Sequence, residues 1–83
     1  RVMNKIYHVY GISDCPACLR SCADLMDRDL EYVFHNCDFS KSFRNEIRDK
    51  LHWPTFPIII VTMSEETVVI GGSEQLKDHL SAL

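Results

Sequence analysis

The sequence predicts an α/β domain in which a four-stranded mixed sheet is flanked by helices. Three observations predict it. Segments rich in β-forming residues alternate with segments of helical period, the resulting order is βαβαββα, and two strand candidates close to the C-terminus are joined by a short turn. The chain has 83 residues, a length that fits one domain with one small core. We therefore treat residues 1–83 as a single domain, and we expect Arg1 and Val2, which precede Met3, to be additions ahead of the natural start.

The first strand and helix are predicted by a change of period after Gly11. Lys5–Tyr10 is rich in β-formers and ends at that glycine. From Pro16 onward, apolar side chains recur at helical spacing and predict an amphipathic helix with one core face. These residues are Cys18, Cys22, Leu25 and Met26. Pro16 suits the first position of a helix, which makes Cys15 the N-cap residue.

The middle of the chain predicts a second strand and a second helix. Leu30–Cys37 has strand character, and Asp38 and Ser40 are candidate caps for the helix that follows. Apolar residues at i, i+4 and i+8 predict the buried side of that helix; they are Phe43, Ile47 and Leu51. The two prolines of Trp53–Pro57 end it.

The last third predicts a hairpin and a terminal helix. Ile58–Thr62 is an apolar run typical of a strand buried on both faces, Ser64–Glu66 predicts a turn, and Thr67–Ile70 predicts the partner strand. Gly71 and Gly72 then allow the backbone to turn. The last helix is predicted from its N-cap and its apolar spacing, carried by Ser73, Leu76, Leu80 and Leu83.

Composition excludes two classes of partner. The formal net charge is −3, so clustered positive charge that would favour nucleic acid or anionic lipid is missing. The longest apolar run, Ile58–Val61, is far shorter than the roughly 20 residues that span a bilayer. With no secretory signal pattern at the N-terminus, we expect a cytoplasmic monomer that binds neither nucleic acid nor membrane.

The chemistry of the chain centres on Cys15 and Cys18, which form a Cys-x-x-Cys motif. A free thiol has a pKa of about 8.5, so at neutral pH only a small fraction is the nucleophilic thiolate. Free N–H groups at a helix N-terminus stabilise that anion, and cysteines placed there have pKa values of roughly 3.5–7.5. We therefore expect Cys15 to be the nucleophile, and Cys18, one turn inside the helix and less exposed, to be the resolving thiol.

Zinc binding is the alternative use of such a motif. A tetrahedral site needs two further ligands, and a second Cys-x-x-Cys or a His-x-x-x-His is missing from the sequence. The candidates that remain are Cys22, His35, Cys37 and His52. Because Cys22 lies on the predicted core face, we predict that no metal is required. We expect Cys22 and Cys37 to be buried thiols, as most free cysteines are.

Three segments together resemble the glutaredoxin family over nearly the whole chain. The strand-loop-CPYC segment of that family is similar to Tyr10–Gly11 followed by Cys15-Pro16-Ala17-Cys18, with Ala17 where tyrosine is common. The family's Thr-Val-Pro, whose proline is cis, matches Thr55-Phe56-Pro57, and its Gly-Gly-x-Asp-x-Leu matches Gly71–Leu76.

The resemblance implies a thioredoxin-like fold and a glutathione-dependent thiol–disulfide oxidoreductase. Glutathione would be the co-substrate, and the substrates would be disulfide-bonded and glutathionylated proteins. By that resemblance, glutathione binds Cys15, the backbone of Thr55, Phe56 and Pro57, and the segment of Gly72, Ser73 and Glu74. A loop that presents unpaired N–H and C=O groups suits an extended peptide, and a helix N-terminus suits a carboxylate.

The chain departs from the family in its charges near the first cysteine. Glutaredoxins usually carry Lys or Arg where this chain has Ile12, and Asp14 adds a negative charge beside Cys15. We therefore expect Cys15 to be less acidic than its counterparts. The sequence leaves open whether Arg20, Arg44 or Lys50 replaces the missing cation.

Two other functions stay open. Trp53-Pro54-Thr55-Phe56-Pro57 is similar to the monothiol glutaredoxins, which suggests a [2Fe–2S] cluster held between two subunits by Cys15 thiolates and glutathione. Ile12 and Asp14 also fit a thioredoxin-like reductase that does not use glutathione.

Overall fold

The computed structural model describes residues 5–83 and confirms the predicted order βαβαββα. The expectation for Arg1 and Val2 lies outside the described residues. The elements are β1 (Lys5–Gly11), α1 (Pro16–Asp27), β2 (Tyr32–Asn36), α2 (Lys41–Leu51), β3 (Ile58–Met63), β4 (Glu66–Gly71) and α3 (Ser73–Ser81). Within residues 5–83, no helix is long and apolar enough to cross a membrane.

The four strands form one mixed sheet in the order β2-β1-β3-β4. β1 runs parallel to β2 and antiparallel to β3, and β3 and β4 form the antiparallel hairpin. Tyr7 of β1 lies opposite Tyr32 on one side and Val61 on the other. These directions bring the ends of β1, β2 and β4 and the start of β3 to the same edge of the sheet.

The core lies between one face of the sheet and helices α1 and α3. Its buried members are Tyr7, Val9, Cys22, Leu25, Ile59, Val61, Leu76 and Leu80. Helix α2 contacts the opposite face, where the Phe43 and Tyr10 ring centroids are 6.4 Å apart and Ile47 is buried. Because both faces are covered at β3, Ile58–Val61 is buried throughout, as its apolar run predicts.

Three predictions about the helix faces are wrong. Phe43, on the predicted buried side of α2, is 36% exposed, because it lies in the first turn of that helix and its ring meets Tyr10 only at a centroid distance of 6.4 Å. Met26 is 62% exposed, because its neighbour Leu25 takes the buried position and the next side chain turns about 100° away from the core. Leu83 is 63% exposed, because α3 ends at Ser81 and no helical turn returns Leu83 to the sheet.

Other predicted boundaries also move. Glu66, predicted in the turn, is the first residue of β4. Ser73 is the first residue of α3, and Gly72 is its N-cap; the Gly72 N–H donates to Oε1 of Gln75 at 3.0 Å, so a side chain from inside the helix takes the capping role. β2 is shorter than Leu30–Cys37, because the Leu30 N–H bonds to the Leu25 carbonyl at the end of α1.

Gly71 ends β4 where the indole of Trp53 packs against the backbone. Its φ of +124° lies in a region that favours glycine. A Cβ atom there would lie 2.8 Å from Cη2 of Trp53 and 3.1 Å from Cβ of Gln75. Gly71 therefore allows the segment before β3 to pack against the segment after β4.

We predict that Gly71→Ala destabilises the protein by about 1–3 kcal/mol, because it combines a disfavoured φ with a steric clash. Gly72→Ala is the matched control, since its φ is −93° and its Cβ would meet the flexible amide of Gln75 at 3.2 Å. Urea unfolding measures both. Equal stability of the Gly71→Ala variant and the wild type would contradict the packing.

Two half-buried histidines, His35 and His79, have pKa values lowered by their surroundings. The Tyr7 hydroxyl, on a wholly buried side chain, lies 2.9 Å from Nε2 of His79. Burial lowers the pKa of His79, and the charge of Lys5 lowers it further. Burial and then the neighbouring His8 lower the pKa of His35, whose Nε2 lies 2.9 Å from Nδ1 of His8.

We predict that the free energy of unfolding falls as pH drops below about 6.5, the ordinary histidine pKa. In that range the unfolded chain binds more protons than the folded chain, so stability present above pH 6.5 is lost as pH falls through the lowered pKa values. Urea unfolding at pH 7.5, 6.5 and 5.5 measures the change in stability above the pH range in which carboxylates titrate. The His79→Gln variant should show a smaller loss of stability between pH 7.5 and pH 5.5. Equal or greater stability at pH 5.5 would count against it.

Candidate active site

Cys15 lies at the N-terminus of α1, where the sequence predicts it. It is the N-cap residue, Pro16 occupies the first turn, and the Cys18 N–H donates to the Cys15 sulfur at 3.2 Å. Cys15 is half-buried, whereas Cys18 is 1% exposed. The helix end can therefore stabilise a thiolate on Cys15, and of the two cysteines only Cys15 is open to an incoming disulfide.

Cys15 and Cys18 form a disulfide in this structure, with Cα atoms 5.3 Å apart. That separation is ordinary for a disulfide, so the first turn of α1 accommodates the bond. The pair can accept and release two electrons.

A groove beside this pair brings the other predicted site residues together. It is lined by Ala17, Trp53, Thr55, Phe56, Pro57, Gly72, Ser73, Glu74 and Gln75, with a volume of about 300 Å³. The Phe56–Pro57 peptide bond is cis, as the resemblance implies. The CPAC turn, the loop before β3 and the start of α3 thus face one another at the edge of the sheet.

The start of α3 contributes free donors to the groove. The Gly72 carbonyl accepts the first intrahelical bond, from the Leu76 N–H at 2.9 Å, and the Gly72 N–H is bonded to Gln75. The N–H groups of Ser73 and Glu74 belong to the first turn, where no intrahelical acceptor exists. This end of the groove therefore suits a carboxylate.

Asp38 has a role that the sequence analysis missed. It is not the cap of α2, because Ser40 fills that position by accepting the Phe43 N–H at 3.1 Å. Asp38 Oδ2 instead accepts the N–H of Ser13, two residues before Cys15, at 3.0 Å. Hydrogen bonding from the side chain and the backbone of Ser13, together with the nearby Arg44, lowers the pKa of the Asp38 carboxyl group. The loop after β2 thereby holds the loop that carries Cys15.

Two arginines of α2, Arg44 and Arg48, lie near the loops of the site and make different contacts. Arg44 is committed to the loop after β2, since its guanidinium donates to the carbonyls of Cys37 at 3.1 Å and Asp38 at 2.7 Å. Arg48, one turn further along α2, lies 5.5 Å from the centre of the Phe56 ring. No sequence signal could show this, because helical spacing does not reveal which turn of α2 meets the loop before β3.

Cys22 and Cys37 are free and buried, as predicted. Burial is the main cause that raises the pKa of both thiols, which keeps them neutral. Among residues 5–83, no three His, Cys, Asp or Glu side chains converge as a metal site would require.

The chain is similar to solved structures of two related groups. Glutaredoxin 1 from Francisella tularensis, crystallised with cacodylate, is 19% identical, with 94% of each chain covered and a TM-score of 0.75. Thioredoxin f2 from Chlamydomonas reinhardtii is 18% identical, with 99% of this chain and 77% of that chain covered and a TM-score of 0.64. The short form of spinach chloroplast thioredoxin f is 14% identical, with coverages of 98% and 77% and a TM-score of 0.59. At these identities the likeness shows the thioredoxin-like fold. No curated protein matches the sequence.

A family model described as glutaredoxin matches residues 6–64, more than half of the chain. The matched segment includes the CPAC turn at the start of α1 and the cis-proline loop before β3. Together with the close cysteine pair, this match shows that the chain belongs to the glutaredoxin family of thiol–disulfide oxidoreductases.

Proposed function

We propose that the protein uses glutathione to reduce glutathionylated proteins and protein disulfides. The observation that carries the proposal is the position of Cys15, at a helix N-terminus and beside a groove that ends at a second helix N-terminus. One helix end supports the thiolate, and the other supports a carboxylate of the tripeptide.

We expect the groove to bind an extended glutathione molecule. The backbone of Phe56, next to Pro57, would pair with the cysteinyl residue, and the free N–H groups of Ser73 and Glu74 would bind the γ-glutamyl carboxylate. Arg48 lies beside Phe56, and a guanidinium suits the remaining carboxylate. Arg48 would thus supply the positive charge that Ile12 does not.

Reduction of a glutathionylated protein needs Cys15 alone. Its thiolate attacks the glutathione sulfur, the mixed disulfide breaks, and the protein thiolate leaves and takes a proton from water. Cys15 is then joined to glutathione, and the thiolate of a second glutathione attacks that bond. Oxidised glutathione leaves, and the Cys15 thiolate is restored.

Reduction of a protein disulfide also needs Cys18. Cys15 attacks one sulfur of the substrate and forms a mixed disulfide with the protein. Cys18, buried one turn away and able to bond to Cys15, then attacks the Cys15 sulfur and releases the substrate as a dithiol. Glutathione subsequently reduces the Cys15–Cys18 disulfide.

We predict that Cys15→Ser abolishes glutathione-dependent reduction of a small mixed disulfide, whereas Cys18→Ser keeps this activity and loses reduction of protein disulfides. The assay couples the release of oxidised glutathione to glutathione reductase. A fully active Cys15→Ser variant would overturn the assignment of the nucleophile.

Two further measurements separate the proposal from its alternatives. A wild-type protein that is inactive with glutathione but is reduced by a flavoprotein would act as a thioredoxin. A brown dimer, formed with iron, sulfide and glutathione under anaerobic conditions, would support cluster binding through Cys15.

We predict that Arg48→Ala raises the KM for glutathione roughly three- to tenfold and leaves kcat nearly unchanged, because the contact of a half-buried guanidinium with a carboxylate is lost. Lys50→Ala is the matched control, since Lys50 is an exposed cation on the same helix. If both variants raise the KM equally, the effect is one of overall charge, and Arg48 does not bind the carboxylate.

A further inference from the structure

One loop at the sheet edge that carries Cys15 takes no part in the proposed glutathione site. Four connections meet at this edge, and three of them supply Cys15 and the groove: those after β1, before β3 and after β4. The fourth follows β2 and comprises residues 37–40, here named the Phe39 loop. Since β2 lies on the opposite side of β1 from β3, the Phe39 loop flanks Cys15 on the side away from the groove.

Phe39 is the most exposed of the large hydrophobic side chains in the described part of the chain, at 89%. Isolated exposed apolar residues are common, so exposure alone assigns no role. The position of Phe39 is more informative. Phe39 is one residue from Asp38, Cys15 is two residues from Ser13, and Asp38 bonds to Ser13 at 3.0 Å.

The backbone that carries Phe39 is fixed on both sides. Asn36 Oδ1 accepts the Asp38 N–H at 2.8 Å, and Arg44 donates to the carbonyls of Cys37 and Asp38. Immediately after Phe39, Ser40 caps α2. The loop therefore presents an aromatic ring to solvent on a preorganised support, and such rings are frequent anchors in protein interfaces because few of their torsions must be immobilised.

Size decides which substrates can touch this ring. Glutathione bound in the groove as proposed would lie on the side of Cys15 away from the Phe39 loop. A protein partner covers about 800 Å² on each side of a standard interface, a disc about 16 Å in radius. Consecutive Cα atoms are about 3.8 Å apart, so the short path from Cys15 through Ser13 and Asp38 keeps Phe39 within reach of a partner centred on Cys15.

We propose that Phe39 binds apolar side chains that flank the disulfide of a protein substrate, and so favours protein substrates over small disulfides. The inference rests on the thiol–disulfide exchange of the proposed function, but not on its use of glutathione. In the exchange, the Cys15 and Cys18 dithiol gives two electrons and two protons to the substrate disulfide. One Cys15–Cys18 disulfide forms, and two substrate thiols leave.

The test is a single-turnover reaction of fully reduced protein with three disulfides. Two are disulfide-linked dimers of peptides that carry one central cysteine, flanked by leucines in one and by serines in the other; the third is cystine. Oxidation of the protein is followed by acid quenching and mass spectrometry. We expect the wild type to react roughly five- to thirtyfold faster with the leucine peptide than with the serine peptide, the range of an interface anchor.

Phe39→Ser should abolish this preference and leave the cystine rate unchanged, and Phe39→Leu should restore most of it. Met26→Ser is the matched control, because Met26 is similarly apolar and exposed but lies at the far end of α1; it should keep the full preference. Any of three results would overturn the proposal. The wild type could show no preference for the leucine peptide, the Phe39→Ser variant could retain the preference, or that variant could react more slowly with all three disulfides by the same factor. If the protein does not use glutathione, the coupled glutathione assay alone will show it, and the rates with the three disulfides will be unchanged.

Discussion

The pairing of β1 with both neighbours is the constraint on which the site depends. β1 lies between β2 and β3, parallel to one and antiparallel to the other, and the Cys37 N–H extends the pairing by donating to the Gly11 carbonyl at 2.8 Å. A slip of one residue would turn Tyr7 and Val9 out of the core. The burial of these two side chains therefore fixes where β1 ends, and with it the position of Cys15 relative to the loops before β3 and after β4.

The sequence predicts what depends on neighbouring residues along the chain. Helical period and a proline at the first position place Cys15 correctly as the cap of α1, and the apolar run of β3 predicts burial on both faces. Contacts between distant residues are different, because no spacing encodes them: the bond of Asp38 to Ser13 and the approach of Arg48 to Phe56 depend on how α2 and its loops pack. The wrong prediction that Met26 is buried has a different cause. At a helix end, two adjacent apolar residues satisfy the same periodic pattern, and the sequence does not show which of them is buried.

The charges around the nucleophile are arranged differently from those that the family resemblance implies. Ile12 brings no cation, Asp14 brings an anion, and Arg44 is engaged with backbone carbonyls. The end of α1 must therefore provide most of the stabilisation of a Cys15 thiolate. Arg44 still serves the site indirectly, because it fixes the Phe39 loop, which in turn holds Ser13. In the proposed functions the two sides of Cys15 have separate roles, with a groove for glutathione on the β3 side and an exposed aromatic side chain on a fixed backbone on the β2 side.

The most direct measurement is the amide NMR spectrum of the Cys18→Ser variant before and after Cys15 is joined to glutathione. Away from Cys15 and its own loop, we expect the largest shifts at Phe56 and across Gly72–Gln75, with little change at Phe39. That result would place glutathione in the groove between the loop before β3 and the start of α3. Large shifts at Phe39 with none across Gly72–Gln75 would place it on the opposite side of Cys15 and contradict the assigned site.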